Sequence, residues 1–168
     1  KMNGHPMPSQ RCGTCTLRVT ASTAASRART CAKCARIVGA GGEVDVVCLD
    51  TNYLILGLVA ESTEARALVE WSVSGVPLIT PMPSWFEFLC GPVTPEQVAA
   101  MRAFVSEVVA FAAPQAEEAA RLFNATGRKR SLRVDAMIAG TAVAAGARLA
   151  TGNRSHFEPF VAHGLELG

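Results

Sequence analysis

No apolar run in this chain reaches the roughly 18 to 20 residues needed to cross a bilayer. The longest, residues 54–60 and 136–147, fall well short, so no membrane span is expected. Also missing is a continuous apolar stretch before Cys12, which argues against a secretory leader and makes the cytoplasm the expected compartment. Charged residues are scarce at 18%, and with 49% hydrophobic residues the chain is too apolar to be disordered throughout. Its 168 residues leave room for one domain of ordinary size and a short appendage, which excludes two full catalytic domains.

The absences are unevenly spread. Residues 1–42 contain no Asp, Glu, Phe, Trp or Tyr, yet hold seven of the 16 Lys and Arg. The remaining nine basic residues face all 14 acidic ones in residues 43–168. A basic arm is therefore joined to a mildly acidic domain. The arm carries Cys12, Cys15, Cys31 and Cys34, a pair of Cys-x2-Cys units whose spacing suits a closed Cys₄ zinc site. Its middle, residues 20–26, is too small and polar to build a core, so a second reading stands beside the first: an extension without a fold of its own. Disulfides are not expected in a cytoplasmic chain. Residues 39–42, Gly-Ala-Gly-Gly, read as a linker, and the domain is expected to start near Glu43.

Beyond the linker, β-branched apolar runs alternate with helical patterns. Strands are expected over residues 44–49, 76–80, 108–113 and 148–151, with a fifth candidate over 164–167. Helices are expected over 53–60, 62–73 (with Ala65, Leu68, Val69 and Val73 on one face), 83–89, from Thr94 onward, 114–123 and 135–147. Thr94, Pro95 and Gln97 form a capping-box signature, and residues 127–131 are a basic loop. Cys48 and Cys90 lie in apolar runs and read as buried small hydrophobes. Such alternation implies an α/β fold with a parallel sheet covered by helices on both faces.

In open α/β sheets ligands bind at the carboxyl ends of the strands. Asp50 ends the first strand, Glu87 lies on the helix after the second, Asp135 opens the long Ala-rich helix, and Asn153 follows the fourth strand. Singly, Asp50 and Asp135 are ordinary helix N-caps, Glu87 a solvated residue and Asn153 a turn residue. Together at one edge they form an oxygen-rich set suited to Mg²⁺ or Mn²⁺.

The segments Val46-Val-Cys-Leu-Asp-Thr-Asn-Tyr-Leu54, Trp85-Phe-Glu-Phe-Leu89, Asp135-Ala-Met-Ile-Ala-Gly-Thr-Ala142 and Leu149-Ala-Thr-Gly-Asn153 with Phe157 resemble, in order, a PIN domain of the VapC toxin type. The resemblance spans about residues 44–167. It implies a three-layer α/β/α sandwich with a mainly parallel sheet, and a metal-dependent endoribonuclease that leaves a 5′-phosphate and a 3′-hydroxyl. It further implies a homodimer held inactive by a cognate antitoxin. Asp50, Glu87 and Asp135 match the family's acidic metal ligands and Asn153 its last polar position. At His156 the sequence departs from the family, which usually carries Asp or Glu there. A neutral His ligand removes one negative charge and moves preference from Mg²⁺ towards Mn²⁺.

Thr51 and Asn52 are candidates to orient Asp50, and Ser84 to orient Glu87. RNA contact needs cations, for which Arg128, Lys129, Arg130, Arg133 and Arg154 stand close in sequence to the acids. The sequence leaves an alternative open: a catalytically impaired nucleic-acid-binding module of the same fold, with His156 in place of an acid and a zinc-binding arm. A zinc-nucleated interaction protein is a third reading.

Overall fold

The computed structural model of the chain describes residues 45–168, which form one compact unit. The boundary expected near Glu43 and the arm cysteines Cys12, Cys15, Cys31 and Cys34 lie outside the described residues. In chain order the elements are β1 (Val47–Leu49), α1 (Thr51–Leu56), α2 (Thr63–Val73), β2 (Leu78–Pro81), α3 (Met82–Cys90) and α4 (Pro95–Phe104). Then come β3 (Glu107–Val109), α5 (Ala113–Ala125), a 3₁₀ turn (Arg130–Leu132), α6 (Arg133–Ala144), β4 (Arg148–Ala150) and α7 (Arg154–Val161).

All strand pairs are parallel, in the order β3-β2-β1-β4. Side chains on a strand alternate between faces, and the core divides accordingly. Val47, Leu49, Leu78 and Ala150 pack with Leu54, Leu68, Phe88, Met101 and Val105 on one face. Cys48, Ile79 and Leu149 pack with Leu122, Ile138, Phe157 and Phe160 on the other. Helices α1 to α4 thus cover one side of the sheet and α5 to α7 the other, which makes the expected α/β/α sandwich.

Local chemistry accounts for most of the elements. Thr94 and Gln97 cap α4 reciprocally, with Pro95 at its first position. Ser62 Oγ accepts from the Ala65 N–H to open α2. The small residues of α6 let α5 approach closely: a Cβ added to Gly140 would lie 2.4 Å from the Ala119 nitrogen.

Several expectations are corrected. The third strand spans Glu107–Val109 and stops short of residue 113, because Pro114 follows Ala113 at the start of α5 and pulls the chain out of the sheet. Helix α1 begins at Thr51 directly behind its cap Asp50, rather than at Tyr53. On α2 Leu68 is buried, while Val69 and Val73 are 51% and 83% exposed. The basic loop contains a 3₁₀ turn and α6 starts at Arg133, so Asp135 lies in its first turn and is not its cap. The fifth strand reduces to one bridge, Leu149 to Leu167. Cys48 is buried as expected, but Cys90 at the end of α3 is exposed. Helix α7 was not foreseen. Pro159 lies inside it, while its buried Phe157 and Phe160, three apart, carry the helical signal.

Among the described residues no helix is long and apolar enough to cross a membrane.

Candidate active site

The chain runs outward from β1 through β2 to β3, then returns to place β4 on the other side of β1. Strand order therefore reverses at β1, and a crevice opens beyond the carboxyl ends of β1 and β4. Asp50 follows β1 directly and Thr151 follows β4 directly.

Asp50 is only 4% exposed. Its carboxylate accepts from the Thr51 N–H at 2.7 Å, Thr151 Oγ1 at 2.8 Å and Asn52 Nδ2 at 3.3 Å. It is a helix N-cap and a convergent site residue at once. Burial pushes its carboxyl above the usual range; the donors Thr151, Thr51 and Asn52 oppose this, and the Glu87 charge adds to it. Asp135, half-buried, is also raised, first by burial. The charges of Asp50 and Glu87 push it the same way, while His156 works against them.

Glu87 comes from α3, which shares a face of the sheet with α1, and its Oε2 accepts from Thr51 Oγ1 at 2.6 Å. Thr51 thus touches two of the acids, its N–H on Asp50 and its hydroxyl on Glu87. Ser84, expected to orient Glu87, does not: its Oγ is buried and has no hydrogen-bond partner. Asn52 reaches Asp50 as expected. Asn153 is the N-cap residue of α7; its N–H donates to Thr151 Oγ1 at 3.0 Å and its Oδ1 accepts from Ser155 at 3.2 Å. His156 Nδ1 stands 3.4 Å from Asp135 Oδ2, on the unforeseen helix α7.

Among the described residues no Lys or Arg makes a salt bridge to Asp50, Glu87 or Asp135. Two aspartates raised first by burial and further by neighbouring acids, with no Lys or Arg paired to them among the described residues, suit a divalent cation, and carboxylate oxygens are the donors that Mg²⁺ and Mn²⁺ take. Also among the described residues, no three His, Cys, Asp or Glu side chains are already gathered at ligand spacing.

The basic residues are less uniform than their sequence suggests. Arg128, Lys129, Arg130 and Arg133 are exposed at the approach to α6, with Arg128 Nε donating to Asn124 Oδ1 at 2.8 Å. Arg154 instead donates to the Gly168 carbonyl at 2.7 Å. Thr151 is the residue that sequence reasoning missed. Its signal was the hydroxyl closing β4, but only the pairing of β4 with β1 brings it to Asp50. A separate concavity of about 770 Å³ along α2, lined by Glu61, Ala65, Arg66, Val69 and Glu70, contains none of the candidate residues.

The PIN domain family model matches residues 47–158. Among solved structures the chain is similar to the DNA-bound VapBC of Salmonella typhimurium, with a TM-score of 0.59 and 20% identity over 74% of this chain and 97% of that one. It is likewise similar to VapBC2 of Rickettsia felis bound to a promoter DNA fragment, at 0.59 and 18%, covering 73% and 97%. A toxin-antitoxin complex from Klebsiella pneumoniae matches at 0.52 and 24%, covering 66% and 89%. At these identities the likeness is one of fold. No curated protein matches the sequence.

Proposed function

The chain belongs to the PIN domain family, and from that premise we propose that it is a Mg²⁺- or Mn²⁺-dependent endoribonuclease, the toxin of a toxin-antitoxin pair acting on RNA in the cytoplasm. The observation that carries the proposal is the convergence of Asp50, Glu87 and Asp135 at the switch point of the sheet. Both aspartates are raised first by burial and further by the charges of their acidic neighbours; at Asp135 His156 opposes this, and among the described residues no Lys or Arg salt bridge does.

Asp50, Glu87 and Asp135 are the residues that would hold the cation, with Asn153 and His156 at its margin. A divalent cation supplies Lewis acidity there, lowering the pKa of water and offsetting charge on the phosphate. The chain's own groups prepare the site. Thr151 and Asn52 orient Asp50 and oppose the rise that burial imposes on its carboxyl, and Thr51 bonds both Asp50 and Glu87. Arg128, Lys129, Arg130 and Arg133 face solvent, where they can meet phosphates of the RNA.

A partner antitoxin covering this crevice and a homodimer belong to the same proposal. The likeness to solved VapBC and toxin-antitoxin complexes supports the antitoxin. A second reading, a module that binds RNA without cutting it, is favoured by one feature: His156 stands beside Asp135 where the family usually has an acid. The arm cysteines Cys12, Cys15, Cys31 and Cys34 enter as a Zn²⁺ proposal of their own, tested by metal content of the full chain.

The test is cleavage of single-stranded RNA by the purified, antitoxin-free chain with Mg²⁺, Mn²⁺ or EDTA, beside Asp50→Ala, Glu87→Gln and Asp135→Asn. Metal-dependent cutting that each variant lowers by about 10²-fold or more is expected. Cutting that survives Asp50→Ala refutes the metal assignment, and RNA binding without cutting selects the second reading.

A further inference from the structure

Between α3 and the start of α6 lies a hollow of about 420 Å³, walled by Met82, Pro83, Phe86, Phe111, Val134 and Met137, with Glu87 its one charged lining residue. Phe86 is 64% exposed, Met82 42% and Val134 41%. Apolar surface gathered in this way, rather than scattered singly, marks a binding place. Its position relates it to the proposed chemistry. Glu87 belongs to both the hollow and the acid cluster, and Val134 and Met137 flank Asp135 along α6.

The charges beside the hollow indicate what occupies it. Arg133 immediately precedes Val134 and lies one helical turn before Met137, and Arg130 lies in the 3₁₀ turn that leads into α6. Both are exposed. An apolar hollow beside cations on one side and metal-binding carboxylates on the other is complementary to one nucleotide: a ring system within, phosphates outside. The volume suits a single small ligand.

We propose that this hollow is a base subsite, in which the nucleobase next to the scissile phosphate lies against Phe86. The inference rests on the endoribonuclease reading and adds how that site holds its substrate. Apart from Glu87 the wall offers no side-chain donor or acceptor, so the base is held by stacking and apolar contact, and its edges are not read. The subsite therefore requires a base at that position more than it selects which base, with the larger purines ahead of pyrimidines.

The experiment uses the full chain, the metal that supports cleavage, and single-stranded RNA oligonucleotides with a mapped cut. An abasic nucleotide beside the cut should raise KM roughly 10- to 100-fold, the range expected for losing one base-aromatic stack, with kcat little changed. Phe86→Ala should do the same on intact RNA, Phe86→Tyr should restore most of the loss, and abasic RNA with Phe86→Ala should lose no more than either alone. The abasic arm leaves the protein untouched, so a folding defect cannot imitate it. Normal cleavage that neither change affects, or two additive losses, overturns the subsite and leaves the nuclease reading intact. If no metal supports cutting, the nuclease reading fails, and anisotropy of labelled RNA judges the hollow: weaker binding by Phe86→Ala and to abasic RNA keeps it, equal or absent binding overturns it. Phe86→Ala that alters only sedimentation, with RNA handling unchanged, assigns the patch to a protein contact and also overturns the proposal.

Discussion

Replacing Thr151 with Val exchanges a hydroxyl for a methyl of similar size and deletes two hydrogen bonds at once. The hydroxyl donates to the buried Asp50 carboxylate at 2.8 Å and accepts from the Asn153 N–H at 3.0 Å. The first is charge-assisted and worth about 2 kcal/mol, the second about 1 kcal/mol, so the variant should lose about 3 kcal/mol near neutral pH. The pH dependence follows from Asp50, whose carboxyl is raised by burial and held down by Thr151. Without that donor its folded pKa rises further. A raised carboxyl contributes stability that is present below its unfolded value, about 3.9, and is lost as pH rises through the folded pKa. The deficit of the variant is therefore full at neutral pH and shrinks to about 2 kcal/mol in acid, where charge assistance is gone in both proteins. Urea titrations of wild type, Thr151→Val and Thr151→Ser at pH 7 and pH 3.5 measure it. Because Thr151 holds a proposed metal ligand, activity or metal affinity should also fall about 10- to 100-fold. A deficit below about 0.5 kcal/mol at pH 7, or one that grows in acid, refutes the argument.

Gly140→Ala drives a methyl to within 2.4 Å of the Ala119 backbone, so it should destabilise by about 1 to 3 kcal/mol despite the better helix propensity of Ala, read as a lowered urea midpoint. Phe160→Ala empties a fully buried position between α7 and the sheet and should cost about 3 to 5 kcal/mol by the same measurement. Asp50→Asn keeps the shape of a carboxyl that burial disfavours when ionised; it should abolish cleavage yet raise the melting temperature at pH 7, and a lowered one would count against the repulsion among the acids. Deleting residues 1–42 should leave cleavage nearly unchanged, and its loss would move interest to Cys12, Cys15, Cys31 and Cys34.

The alternating pattern of apolar strands and helices was legible in the chain because a buried parallel strand and a one-sided helix leave different periodicities. Asp50, Glu87 and Asp135 could also be picked out as candidates, since an acid directly after a strand, one in a helix's first turn and one on the helix after a strand stand in order along the chain. Helix α7 escaped because Pro159 breaks the expected pattern although the fold tolerates it. The exposure of Val69, Val73 and Cys90 escaped for another reason: periodicity identifies an apolar stripe but not whether a neighbour covers it.

Sequence alone determined the α/β class, the capped start of α4 and the residues that carry charge at the strand ends, because each depends on near neighbours along the chain. Tertiary structure decided what those residues meet. Only the order β3-β2-β1-β4 places Thr151 on Asp50, and only the packing of α3 against α1 lets Thr51 reach Glu87. Those contacts join positions 101 and 36 residues apart. No local pattern records such separations, because they are set by which strands pair and which helices share a face.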